Sequence, residues 1–336
     1  MTARRRFKQL VRARAAKTGE SYTAALRQVR RASAAAADLD RQDAVDQPDR
    51  PRLRVAVAQT DQREDPRDTG LLRAAGAEIR ALIDQAAGCD ARLLHLPEGA
   101  LCFPHKRVMS SLPDRVGPAD WSRVAWEVYA EELAGVAEAA ARRGIWVALP
   151  AAHRLADGHR PHNSLYVIDD HGRVHTRYDE RYGSDTKINY LYTPGTEPII
   201  FEIDGVRIGC TLGIEAVHPQ SFIDYERLGV DLVIFSTTGR ENPTPHPTPF
   251  WRNLAVYAGV NGYPISIAST LPGNSGILPP DDQDPIRITE QPRPALVTGE
   301  ITARVGATPW LERLRSGVYD QSVISDDARS LQRTTF

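Results

Sequence analysis

Residues 206–219 read VRIGCTLGIEAVHP, and their reading decides the fold. Residues 206–212 are dominated by apolar and β-branched side chains, the signature of a strand. Pro219 suits the first position of a helix. A strand that passes through a glycine toward a helix is an elbow, the layout that commonly displays a nucleophile at the end of a sheet. The elbow position here is Gly213, which has no side chain to display.

Working outward, β-α-β units and hairpins alternate along one continuous body. Residues 53–58 and 93–96 read as strands, with an amphipathic helix over 69–87 between them. A helix over 121–143 closes on Gly144 and precedes a strand over 145–149. Two hairpins follow, residues 163–168 with 174–178 and residues 198–203 with 206–212; Gly172 and Gly205 serve their turns. A helix after Pro219, a strand over 232–236, a helix over 250–260 and strands over 264–269 and 296–304 complete the series. The pattern predicts a layered α/β domain whose sheet is not purely parallel. Residues 279–294 are rich in Pro and Asp and read as a surface loop, and a short helix is expected around 310–314.

The 336 residues are 41% hydrophobic and 25% charged, which excludes collagen-like, coiled-coil and wholly disordered chains. No stretch is apolar enough to cross a membrane, and three cysteines (Cys89, Cys102, Cys210) are too few for a disulfide framework. A cytoplasmic protein is the expectation. Charge is unevenly spread: residues 1–50 carry twelve Lys/Arg against six Asp/Glu, a balance of +6, and the rest carries −7. Within residues 4–31, Gly19 and Ser21 separate two apolar stripes, predicting two short basic helices. The division expected is a basic helical extension and linker over 1–50, a main domain over 51–305 and a tail over 306–336. The extension is either a solvated appendage or a basic surface, in residues 1–31, for nucleic acid or a protein partner.

The first candidate for chemistry is Glu98, directly after the strand at 93–96, at the edge where α/β sheets form ligand sites. A carboxylate there can act as a general base. Glu215 and His218 follow the elbow and are candidates to line a pocket, or else cap the next helix. The histidines show no metal-ligand spacing and there is no phosphate- or dinucleotide-binding glycine motif. No metal and no cofactor are therefore expected.

Taken in order, several pieces resemble the nitrilase superfamily of carbon–nitrogen hydrolases over residues 52–305. They are RVAVAQ at 54–59, LPEG at 96–99, HNS at 162–164, YTPG at 192–195, GVRIG at 205–209 before the elbow, FWRNLA at 250–255 through Gly262, and GEITA at 299–303. The resemblance implies a four-layer αββα sandwich that assembles into homo-oligomers. It implies hydrolysis or transfer at carbon–nitrogen bonds other than peptide bonds by a cysteine nucleophile, a glutamate base, a lysine and often a second glutamate. In that chemistry the thiolate attacks the amide or nitrile carbon, the glutamate moves the proton, and the ammonium steadies the oxyanion.

Carried over residue by residue, the resemblance puts the base at Glu98 and the nucleophile at Gly213. The lysine falls at Glu180 when counted from Tyr178, or at Lys187 when counted back from the YTPG turn. The second glutamate falls near Asn189. Cys102, four residues after Glu98, is the candidate for a displaced nucleophile, whereas Cys210 lies at an odd offset from Gly213 and points to the other face. The chain is thus expected to lack cysteine-dependent hydrolysis and to bind a small amide-like ligand or a partner. The alternative is altered chemistry run by Glu98 and Lys187, with water or a second substrate above Gly213.

Overall fold

The computed structural model describes residues 3–27, 50–239, 249–271, 273–281, 283–287, 295–304 and 306–318. The chain divides into two compact units, Met1–Arg50 and Pro51–Phe336. In the first, helix α1 (Ala3–Thr18) stops at Gly19, whose φ of +70° suits a residue without Cβ. Helix α2 covers residues 22–27, and Ser21 Oγ accepts the Ala24 N–H at its start. The expected linker lies, apart from Arg50, outside the described residues.

In the second unit the strands are β1 (Arg52–Thr60), β2 (Leu93–His95), β3 (Trp146–His153), β4 (His162–Ile168), β5 (Val174–Asp179), β6 (Ile200–Ile203), β7 (Val206–Leu212), β8 (Leu232–Thr237) and β9 (Ile265–Thr270). They hydrogen-bond in the order β5-β4-β3-β2-β1-β9-β8-β7-β6. Strands β10 (Gly276–Leu278) and β11 (Ile286–Arg287) extend from β9, and β12 (Ala295–Thr302) runs antiparallel to β1. Among the described residues the two halves of this sheet join at Gln59–Ser269 and Thr60–Thr270 of β1 and β9. They fold face to face.

Alternation along the strands makes the layers. Leu53, Val55 and Val57 of β1 enter the core between the half-sheets, against Phe201, Ile208, Leu212 and Ile234. Ala56 and Ala58 of the same strand face outward, under α3 (Thr69–Gly88) and α5 (Trp126–Arg143), with Leu72, Ile79, Leu82 and Val136. In the other half Leu232 and Ile234 point inward. Val233 and Phe235 point outward to Phe222 and Tyr225 of α6 (Pro219–Arg227) and Leu254 of α7 (Pro249–Asn261). The result is a four-layer αββα sandwich.

His95 ties the half-sheets together. Its Nδ1 lies 2.8 Å from Ser266 Oγ and its Nε2 2.9 Å from Ser236 Oγ. Ser236 spends its own hydrogen on the Leu96 carbonyl, so it accepts from Nε2–H, and Ser266 donates to Nδ1. Burial lowers the His95 pKa to about 3, so the ring is neutral.

Two sequence expectations change. The helix expected over 121–143 is split: Asp120 caps a 3₁₀ turn at Trp121–Arg123, and α5 starts at Trp126. The loop at 279–294 contains β11. The short helix expected around 310–314 is α8 (Pro309–Arg315), which pairs Arg315 with Glu226 of α6 while Trp310 donates to the Val260 carbonyl. Helix α4 (Lys106–Met109) is a single turn. Among the described residues no helix is long and apolar enough to cross a membrane.

Candidate functional site

Four segments deliver polar side chains to one end of the sandwich, and a fifth brings Gly213 to them. Glu98 follows β2 by three residues; its flanks are held by Leu96, which donates to the Ala148 carbonyl, and by Gly99 at φ +92°. Asn163 lies at the start of β4. Glu180 follows β5, its N–H donating to the Asn163 carbonyl and its own carbonyl accepting from Gly195 of the YTPG turn. Lys187 opens a single π-helical turn, Lys187–Leu191, a distortion often found at functional sites. Gly213 ends β7 with φ +56°, the left-handed conformation that a sharp elbow demands.

The four side chains form one buried cluster. Lys187 Nζ donates to Glu98 Oε1 at 2.8 Å and to Glu180 Oε1 and Oε2 at 2.9 and 2.7 Å, which uses all three of its hydrogens. Asn163 Nδ2 donates to Glu98 Oε1 and Glu180 Oε2, both at 2.7 Å. The Phe103 ring lies 5.0 Å from the ammonium, on which its π face can act. Burial pushes the Glu180 carboxyl up to about 7, Lys187 pulls it back, and Glu98 raises it further. Burial opposes the charge on Lys187, yet Glu180 and Glu98 outweigh it and hold the ammonium above the usual lysine range.

The cluster fills the elbow. A Cβ built on Gly213 would meet Lys187 Nζ at 2.6 Å, Glu180 Oε1 at 2.7 Å and Glu98 Oε1 at 3.3 Å. The space expected for water or a second substrate above Gly213 is therefore taken by the chain itself. A small cavity opens beside it, bordered by Asn163, Glu180, Lys187, Tyr192 and Thr193; at about 10 Å³ it has room for one water. The two competing lysine placements are both occupied. Glu180 stands where one count put the lysine, and Lys187 reaches the same spot from the π turn.

Four other candidates stand apart from the cavity lining. Cys102 is packed into the core under α3 and α5, and burial, with Asp65 and Glu64 nearby, pushes its thiol up, the reverse of an activated nucleophile. Asn189 sits on the exposed side of the π turn. His218 packs against Tyr182 in a tilted arrangement, 5.2 Å between ring centroids. Glu215 lies beneath the elbow instead of in the pocket. It accepts from the Tyr178 hydroxyl at 2.6 Å and from the N–H groups of Leu212, Arg181 and Tyr182 at 2.8, 2.9 and 3.2 Å. Burial raises its pKa, and these donors oppose the rise. Asn163 was not singled out as a site residue from the sequence, although it lies in the HNS piece at 162–164 that opens β4.

Among described residues no group of His, Cys, Asp and Glu could hold a metal ion. A search of curated protein sequences finds no match. Solved structures do match. An amidase from Nesterenkonia sp. has a TM-score of 0.61 at 18% identity, over 82% of this chain and 98% of that one. A mutant of the Nesterenkonia AN1 amidase, described as from the nitrilase superfamily, has a TM-score of 0.59 at 19% identity, over 82% and 97%. A third, with the acetamide moiety of fluoroacetamide added covalently at the active-site cysteine of the AN1 amidase, has a TM-score of 0.60 at 18%, over 82% and 98%. At these identities the likeness speaks for the fold. The family profile speaks for descent: carbon–nitrogen hydrolase matches residues 54–262, more than half of the sequence, and the chain belongs to that family.

Proposed function

We propose that the protein is a carbon–nitrogen hydrolase relative that does not hydrolyse through a thiol, and that its site binds a small amide-like ligand or a partner. One observation carries this. The elbow that would present a nucleophile is Gly213, and the volume its side chain would need is held by the Glu98–Lys187–Glu180 ion pairs. Losing a nucleophile from such a constellation costs on the order of 10⁶-fold in turnover. Glu98 stands as the base of the family's chemistry without a thiol to serve.

The test is ammonia release from a panel of amides, ω-amides and nitriles. The wild-type protein should release none above background. Gly213→Cys should stay silent as well, because its Cβ collides with Lys187 and the φ of +56° strains any side chain. Release by wild type that disappears in Glu98→Ala would overturn the reading. It would favour the second one, altered chemistry at carbon–nitrogen bonds by Glu98 and Lys187; Glu180, titrating near 7 beside the cavity, supports that reading as a proton carrier.

The same reading keeps three expectations: a cytoplasmic protein, a body that self-associates, and a basic surface in residues 1–31 for nucleic acid or a protein partner. Fractionation, sedimentation of the full chain and salt-dependent retention on a polyanion check them in turn.

A further inference from the structure

We propose that residues 3–27 form a helix-turn-helix that binds double-stranded DNA, with Lys8 and Arg12 of α1 on the phosphate backbone and α2 toward the major groove. The inference rests on the reading of residues 1–31 as a basic binding surface and commits that surface to one partner.

The turn is the first observation. Helix α1 ends at Thr18, and α2 begins at residue 22. The three residues between them include Gly19 at φ +70°, whose N–H donates to the Ala15 carbonyl at 3.0 Å. Ser21 Oγ accepts from the Ala24 N–H at the start of α2. Two helices joined by a turn of three or four residues that contains a glycine are the layout that brings a helix to a groove of duplex DNA. Val11 of α1 and Ala25 of α2 are fully buried. Both helices therefore spend apolar side chains on packing instead of holding them out for a membrane.

Charge is the second, independent observation. Residues 3–27 hold eight Lys/Arg and one acidic residue, Glu20, which Arg14 takes at 2.7 Å. Helix α1 itself has no acidic residue. Lys8 and Arg12 are both exposed. Four residues apart, they lie on one side of α1, about 6 Å from each other along its axis. Cations in a row with no carboxylate between them suit a chain of phosphates. On α2 the exposed residues are Tyr22, Thr23 and Arg27. The major groove of B-form DNA, about 12 Å wide, admits an α-helix, whereas that of A-form RNA does not, so the helical layout selects DNA.

Fluorescence anisotropy with a labelled, mixed-sequence DNA duplex of about two helical turns tests this on the full chain. Three proteins are compared: wild type, Lys8→Ala with Arg12→Ala, and Arg142→Ala, which removes an exposed arginine of α5 as a control. Both substitutions in α1 favour the helix. An RNA duplex of the same sequence and poly-glutamate serve as competitors. Wild type should bind the DNA at low salt, and Arg142→Ala should match it. The double variant should bind more weakly at about 50 mM salt. Its deficit should shrink about tenfold on going to about 200 mM, because each lost phosphate contact takes about 0.9 from the slope of log affinity against log salt. The RNA duplex and poly-glutamate should compete at least about tenfold less well than unlabelled DNA. Four results overturn the proposal: no DNA binding at low salt, a double variant with unchanged affinity and slope, an Arg142→Ala protein that falls as far as the double variant, or competition by RNA or poly-glutamate equal to that by DNA. If DNA fails while the full chain is still retained on a polyanion in a salt-dependent way, only the DNA assignment falls. If that retention fails too, the reading of residues 1–31 as a binding surface falls with it.

Discussion

Two buried carboxylate sites lie on either side of Gly213, and they are built to opposite ends. Below the elbow, Glu215 is enclosed and accepts only from fixed local donors: the Leu212, Arg181 and Tyr182 N–H groups and the Tyr178 hydroxyl. Above it, Glu98 and Glu180 share one lysine and one asparagine, and Glu180 borders a cavity. Three of the lower site's four donors are backbone N–H groups, which side-chain changes leave in place. The upper one uses mobile side chains, and its charge depends on a single residue. The support of the elbow and the occupant of the elbow are thus separable. The first is a fixed carboxylate under the turn, and the second is the Glu98–Lys187–Glu180 ion-pair cluster.

The largest break in this comparison should come from Lys187→Met, which leaves two carboxylates facing each other without a cation. Removing one partner of a buried ion pair costs about 3–5 kcal/mol, and urea unfolding should show a loss of that size. A loss under about 1 kcal/mol would mean the cluster is solvated in solution. Next in size, Glu215→Ala strands three backbone N–H groups under the elbow, each costing about 1 kcal/mol or more; a total of about 3 kcal/mol is expected. An unchanged midpoint would show that water replaces the carboxylate.

The smallest effect is a change of slope with pH. The Glu180 carboxyl is raised from 4.5 to about 7, so the folded state binds its proton more tightly than the unfolded chain does. The contribution of that proton to stability is full below about 4.5 and is lost as pH climbs through about 7. Glu180→Gln removes this dependence. The stability of wild type relative to Glu180→Gln should therefore fall between pH 5 and 7.5, by on the order of 1 kcal/mol per pH unit. Parallel profiles would show that Glu180 does not titrate there.

Much of the layered fold was legible because each strand alternates and each hairpin carries its turn glycine, as at Gly172 and Gly205. Strands β10 and β11 were not, because three and two residues carry no periodicity. Glu98 was legible from its place at a strand end. The upper site as a whole was not. Glu180 and Lys187 were read as rivals for one position, and only the fold of the six residues between them brings both there. The occupancy of the elbow likewise depends on a π turn, which no sequence pattern announces. Cys102 misled because a loop position near Glu98 reads as accessible, whereas packing under α3 and α5 buries it.

The cysteine distribution has a consequence for redox chemistry. Thiol hydrolases carry their most oxidisable atom at the reaction centre, where peroxide or an alkylating agent silences them. In this chain Cys102 and Cys210 are sealed in the core with thiols pushed up by burial, and Cys89 is the exposed one, at the C-terminal cap of α3. Oxidants that disable a thiol enzyme at its centre have no sulfur to meet there. The Glu98–Asn163–Glu180–Lys187 cluster itself contains no thiol.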